Sequence, residues 1–141
     1  MKSFATRTII RAPAERIWSI LTDAAGYPSW NSTVERVDGT IALGENVTVY
    51  AKASPGRAFP LQVTEFEANR RMVWTGGMPL GLFKGARTYV LTASAPGEVE
   101  FTMREEFSGL LAPLITRSIP DLQPSFDQFA ADLKARAESK A

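Results

Sequence analysis

Apolar and polar positions alternate at the start of the chain. Over residues 4–11, Phe4, Thr6, Thr8 and Ile10 fall on one side and Ala5, Arg7, Ile9 and Arg11 on the other. This period of two predicts a strand with one face on a core. The period lengthens after Pro13, a residue suited to a helix start because its missing N–H has no intrahelical partner to lose. Ile17, Trp18, Ile20 and Leu21 then give residues 13–23 one apolar helical face. Gly26 and Pro28 stop that helix, and residues 27–31 read as a second short helix or a turn.

From residue 34 to 107 the punctuation is that of an antiparallel meander. Turn residues fall at Asp38-Gly39, Gly44-Glu45, Ser54-Pro55-Gly56, Asn69-Arg70, Gly76-Gly77 through Gly81, and Ala95-Pro96-Gly97. Between them lie strand-like runs over 32–37, 46–53, 61–67, 72–75, 83–93 and 98–107, the last two close enough to form a hairpin. Near the C-terminus Leu122, Phe126, Phe129 and Leu133 recur at steps of four, three and four, on one face of a helix. Pro120 and Pro124 cannot both sit inside an unbroken helix, since each removes a hydrogen bond and crowds the preceding turn. The pattern predicts a short helix over 110–118 and a main helix from Pro120 or Asp121 to Arg136. Strands that run together, rather than alternating with helices, make the chain α+β. The expected arrangement is a sheet that curls around the long helix and leaves a cavity between them.

The strand period also sorts side chains into faces. Phe101, Met103, Glu105 and Phe107 share one side of the last strand; Phe83, Gly85, Arg87, Tyr89 and Leu91 share one side of its hairpin partner. These more apolar sets should face the helix, and each contains one charge. The turn at Ala95-Pro96-Gly97 makes Arg87 and Glu105 cross-strand neighbours, directly opposite or one step diagonal. An isolated inward charge would be very unfavourable, so pairing is expected. Two readings stay open. The pair fixes sheet register as a buried ion pair, or it lines the cavity. In the second case Arg87 holds a carbonyl, phenolate or carboxylate, and Glu105 orients it or acts as an acid or base. Tyr89 shares that face and is either a core tyrosine or a ligand contact. Trp74 aligns with Met72 and Gly76, as core or as cavity wall. Trp18 reads as core, and Asn31 as the cap of a local turn. Residues 76–83 hold three Gly, one Pro and four apolar side chains; they suggest either a flexible lid over an apolar mouth or a loop tucked on the core. Residues 56–60 are a second candidate rim loop.

Composition removes whole classes of function. Lys and Arg number 16 against 15 Asp and Glu, a net charge of +1 spread along 141 residues, which leaves no electrostatic footprint for nucleic acid. No basic amphipathic helix supports membrane-surface binding, and no apolar run reaches the ~18 residues of a membrane span. The N-terminus lacks the apolar core of a signal peptide, so a cytoplasmic location is expected. With no Cys and no His, disulfides, thiolate nucleophiles, Cys-based zinc sites and imidazole acid/base chemistry are excluded. No metal and no cofactor are expected.

Specific stretches carry a further likeness. They are Ala12-Pro13-Ala14-Glu15-Arg16-Ile17-Trp18, Leu21-Thr22-Asp23 and Tyr27-Pro28-Ser29-Trp30-Asn31, then Val73-Trp74-Thr75-Gly76, Glu105-Glu106-Phe107-Ser108-Gly109-Leu110-Leu111 and Leu133-Lys134. In this order and spacing, over essentially the whole chain, the sequence resembles the START-like, or SRPBCC, superfamily and its bacterial polyketide cyclase/dehydrase-like group. The resemblance implies a helix-grip fold: a seven-stranded antiparallel sheet wrapped around the C-terminal helix, with two short helices after the first strand and a ligand cavity inside. Many resembling sequences carry a His-containing motif where this chain has Gly85-Ala86-Arg87-Thr88-Tyr89, a departure that weakens any transfer of acid/base chemistry.

The expectation is one domain over 1–141 that binds a small, mainly apolar or aromatic ligand with a polar or carbonyl handle. Trp74, Met78, Phe83, Tyr89, Met103, Leu122, Phe126 and Phe129 would line the cavity, with Arg87 and Glu105 at its polar end. The alternative is a cyclase or dehydratase-like enzyme acting on a carbonyl compound, with Arg87 and Glu105 as its catalytic candidates. A third reading is a protein-interaction role without a ligand. The oligomeric state stays open, a weak homodimer included.

Overall fold

The computed structural model describes residues 2–139. It contains seven strands, β1 (Lys2–Ile10), β2 (Val34–Gly39), β3 (Asn46–Ala51), β4 (Phe59–Glu67), β5 (Arg71–Met78), β6 (Phe83–Ala95) and β7 (Glu98–Ser108), with helices α1 (Ala14–Leu21), α2 (Ala112–Ile115) and α3 (Gln123–Glu138). A 3-10 helix over Ala24–Ser29 follows α1, and a second over Thr116–Ser118 follows α2. The strands form one antiparallel sheet in the order β1-β7-β6-β5-β4-β3-β2. The first strand thus pairs with the last, and the meander fills the rest. This is the α+β helix-grip architecture: a curved, half-barrel sheet around a C-terminal helix, with short helices after the first strand.

Alternation placed the faces correctly. Phe4 and Ile10 of β1, Met72 and Trp74 of β5, Tyr89 and Leu91 of β6, and Phe101, Met103 and Phe107 of β7 are all buried. From α3, Phe126, Phe129, Ala130, Leu133 and Ala137 close on them. The helix is also tied at its ends. Lys134 Nζ donates to the Ile9 carbonyl at 2.6 Å, and Gln123 Nε2 donates to the Ala5 carbonyl at 2.8 Å. At its C-terminus, where carbonyls lack intrahelical partners, Arg16 of α1 donates to the carbonyls of Ala137, Arg136 and Ser139. A cation at a helix C-terminus also complements the helix dipole.

Three boundaries differ from the sequence reading. The main helix starts at Gln123 rather than at Pro120 or Asp121. Pro124 is tolerated in the first turn, where no N–H is needed, and the Asp121 carboxylate accepts from the Gln123 N–H at 3.0 Å. Ile119 is extended, the conformation favoured before a proline. The short helix predicted over 110–118 is reduced to α2 and its 3-10 continuation. The glycine-rich stretch is the third difference. Gly76, Gly77 and Met78 belong to β5 and pair with Gly85, Lys84 and Phe83, so the loop shrinks to residues 79–82. At Gly76 a Cβ would lie 2.6 Å from a Leu61 methyl and 2.7 Å from the Pro60 carbonyl oxygen. Glycine is there for close approach of β4, not for a turn.

Candidate functional site

The sheet register builds a row of inward side chains across four strands. Trp74 of β5 stands opposite Arg87 of β6, Arg87 opposite Glu105 of β7, and Glu105 opposite Phe4 of β1. The two charges are therefore direct cross-strand partners, and Arg87 Nε donates to Glu105 Oε1 at 3.1 Å. The Phe126 ring of α3 lies 4.9 Å from the guanidinium carbon, a cation–π contact that links the pair to the helix. Phe83 stacks on Phe107 at 5.8 Å, and Phe4 packs between Phe107 and Phe126. Although closely surrounded, the Arg87 and Glu105 side chains remain 20% and 14% exposed. Solvent still reaches both side chains.

Burial opposes the charge on Arg87, but the Glu105 carboxylate and the Tyr89 phenol outweigh it and raise its pKa above the ordinary value. Arg87 is thus a fixed cation. Tyr89 is fully buried, and burial pushes its pKa up to about 12 against the opposing pull of Arg87. Its hydroxyl feels the guanidinium yet forms no geometrically sound hydrogen bond, and it has no partner among the described residues. Trp30 Nε1 and Asn31 Nδ2 are likewise buried without partners. Asn31 Oδ1 accepts from the Thr33 N–H and hydroxyl, the local turn expected of it. Buried polar groups normally find partners, and these three have none among the described residues.

The other candidate residues divide. Trp74, Tyr89, Met103, Phe126 and Phe129 converge in the interior. Phe83 and Leu122 are half-buried against it. Met78 stands apart: it shares the inward face of β5, but β5 runs past the cover of α3, leaving Met78 47% exposed. One central residue escaped the sequence reading. Tyr27 packs against Trp30, Trp74 and Phe129 and donates to the Leu21 carbonyl at 2.6 Å. A 3-10 helix of six residues has no long period to reveal an inward position; the cluster Tyr-Pro-Ser-Trp was the only signal.

The interior around Phe129 is filled by side chains. Phe129 stacks on Phe101 at 6.1 Å and meets Tyr89, Trp30 and Tyr27 with its other edges. Two concavities on the surface lie elsewhere. An open groove of about 640 Å³ runs over the convex side of the sheet past Arg7, Arg71, Thr88 and Arg104, and one of about 460 Å³ lies at the β5–β6 hairpin between Gly76, Pro79 and Phe83.

Comparison with solved structures identifies the same architecture. A hypothetical protein from Helicobacter pylori superposes with a TM-score of 0.79 at 14% identity, over 97% of this chain and 88% of that one. A START superfamily protein from Mycobacterium smegmatis gives 0.72 at 16% identity, over 96% and 97%. An aromatase/cyclase from Streptomyces gives 0.75 at 11% identity, over 97% and 93%. At these identities the likeness is one of fold. No curated protein sequence matches the chain. Among the described residues no helix is long and apolar enough to cross a membrane. The family profile described as polyketide cyclase / dehydrase and lipid transport matches residues 1–138; the chain belongs to that family.

Proposed function

We propose that the protein binds a small, mainly apolar ligand whose single oxygen-bearing handle is taken by Arg87 and Tyr89. The observation that carries this reading is the Tyr89 hydroxyl, fully buried, held electrostatically by the Arg87 cation and without a well-aligned hydrogen bond among the described residues. A buried hydroxyl left unpaired carries a desolvation penalty of about 1–3 kcal/mol. A ligand carbonyl, phenolate or carboxylate removes that penalty and accepts from Arg87 as well. Glu105 holds Arg87 through Nε and so leaves the terminal guanidinium nitrogens for the ligand. Aromatic walls from Phe83, Phe126 and Phe107 fit a flat or aromatic body. The test is native mass spectrometry of the purified protein, followed by fluorescence titration with 2-naphthoate. Binding should weaken about tenfold in Arg87→Met, the loss of one charge-assisted contact. Unchanged affinity in that variant overturns the reading.

A catalytic role for Glu105 is the second reading. Its Oε1 is engaged by Arg87, while Oε2 has no hydrogen bond among the described residues. That partly exposed carboxylate oxygen would take a proton α to a ligand carbonyl. Turnover of a poly-β-ketone by the wild type, abolished in a folded Glu105→Gln variant, is the expected outcome of that reading; turnover retained in the variant rules it out.

A further inference from the structure

The open sheet has two edges, β1 and β2, and the chain treats them differently. An edge strand presents unpaired N–H and C=O groups that a further strand can join. Along β1, side chains of α3 take these groups. The Ala5 and Ile9 carbonyls accept from Gln123 and Lys134, and just past the strand the Arg11 N–H donates to Glu138 at 2.8 Å. Along β2, no hydrogen bond among the described residues reaches the backbone on the side turned away from β3. Val34 and Val37 pack into the core, whereas Glu35, Arg36, Asp38 and Gly39 are exposed.

Charges on an edge strand usually keep it single. Here their spacing matches them to each other. Arg36 and Asp38 flank Val37 and share the outer face of β2, where Arg36 Nε donates to the Asp38 carboxylate at 3.1 Å. Antiparallel pairing centred on Val37 sets residue 36 of one strand opposite residue 38 of the other. Two copies of β2 therefore bring Arg36 of each opposite Asp38 of the other. This is the self-complementarity that a two-fold interface requires. Arg36 is already oriented, with its guanidinium carbon 3.9 Å from the Tyr50 ring of β3. Glu35, the remaining charge of the strand, sits where the register against β3 shifts, and it falls across from Gly39 of the second copy, which has no side chain to oppose it. Leu43, 63% exposed on the loop after β2, extends the same edge. The antiparallel arrangement carries it toward the residues that precede β2 in the other copy.

We propose that β2 pairs antiparallel with β2 of a second copy of this chain, joining two sheets into one across a two-fold axis. Main-chain hydrogen bonds supply the affinity, as in other cases of strand addition, and the Arg36–Asp38 pairs fix the register. The shift at Glu35 limits the regular ladder to the second half of the strand, so the dimer is weak and reversible. The inference does not depend on the ligand proposed above.

The experiment is sedimentation velocity of the full chain over a wide range of concentration. The wild type should pass from monomer to dimer as concentration rises. Arg36→Glu and Asp38→Lys should each weaken association about tenfold or more, because two attractive cross-strand pairs become repulsive. An equimolar mixture of the two variants should recover dimers, since each copy then meets the opposite charge at both positions. Arg7→Glu, on the exposed face of the other edge strand, should leave association unchanged. In the wild type, hydrogen exchange over residues 34–39 should slow at high concentration. All substituted positions are exposed, and melting curves check that the fold is retained. A wild type that stays monomeric at every concentration overturns the proposal. So does a dimer that either variant leaves intact, or a mixture of variants that fails to recover it.

Discussion

Arg87 and Glu105 face each other across β6 and β7, with the guanidinium Nε donating to the carboxylate at 3.1 Å and the Phe126 ring 4.9 Å from the guanidinium carbon. The pair joins two strands to each other and to α3. Removing one member leaves the other charge in a poorly solvated place, whereas removing both does not. Glu105→Leu should therefore destabilise the protein by about 3 kcal/mol. The double variant Arg87→Met, Glu105→Leu should recover most of that loss. Chemical denaturation of the four members of the cycle checks it.

Tyr89→Phe separates architecture from binding. The hydroxyl it removes has no well-aligned hydrogen bond among the described residues, so stability at neutral pH should be unchanged or slightly raised. Affinity for 2-naphthoate should fall several-fold, about 1 kcal/mol for one lost hydrogen bond. A substantial drop in melting temperature would mean that the hydroxyl is satisfied within the fold.

The same residue gives a pH dependence with a definite sign. Burial pushes the Tyr89 hydroxyl up to about 12, above the ordinary 10.0. Below the ordinary value both folded and unfolded chains are protonated, and the stability contribution is fully present. As pH rises, the unfolded chain loses its proton first, so the contribution is lost between about pH 10 and 12. Burial also raises Tyr27 well above the usual range, adding loss in the same direction. Melting temperature measured across this window should fall less steeply in Tyr89→Phe than in the wild type.

Phe129 is the contact point between α3, the 3-10 helix and the sheet, touching the rings of Tyr27, Trp30, Tyr89 and Phe101. Phe129→Ala should cost about 3–5 kcal/mol, the range for deleting a fully packed phenylalanine. Phe129→Leu should lose much less. Thermal unfolding of both variants tests the ranking.

Gly109 closes the junction of two loops. Its φ is +110°, and an added Cβ would meet the Leu82 and Gly81 carbonyl oxygens at 2.7 and 2.8 Å. Gly109→Ala should destabilise by about 1–3 kcal/mol. Hydrogen exchange should quicken at the Leu110 and Leu111 amides while the β6–β7 amides stay protected.

Most of the fold was legible because it rests on local periods. Alternation along β6 and β7 identified the inward faces, and a short turn between them made Arg87 and Glu105 neighbours before any register was known. Pro124 and Pro120 marked a break near the start of α3 for steric reasons that act within one turn. The likeness over 12–31 and 105–111 implied the helix-grip topology as well. Glycine was the weak point. Gly76 and Gly77 carry the same letters as a turn, and only the approach of β4 shows them to be strand residues. The inward placement of Tyr27 was equally hidden, since a short 3-10 helix has no period to read.

The sequence by itself determined the α+β class, the strand faces, the pairing of one positive with one negative inward charge, and the absence of thiol and imidazole chemistry. All of these follow from residue identity and spacing along the chain. Only the tertiary structure decided that Phe129 fills the interior, that Tyr89 is fully buried beside Arg87, and that Met78 lies outside rather than within. It alone brought Phe59, Leu80 and Leu110 to one end of the sheet. No amphipathic helix announces that surface, because its members come from three segments far apart in the chain. Antiparallel strands return loops to the same end of a sheet, and that geometry, not any local pattern, assembled it.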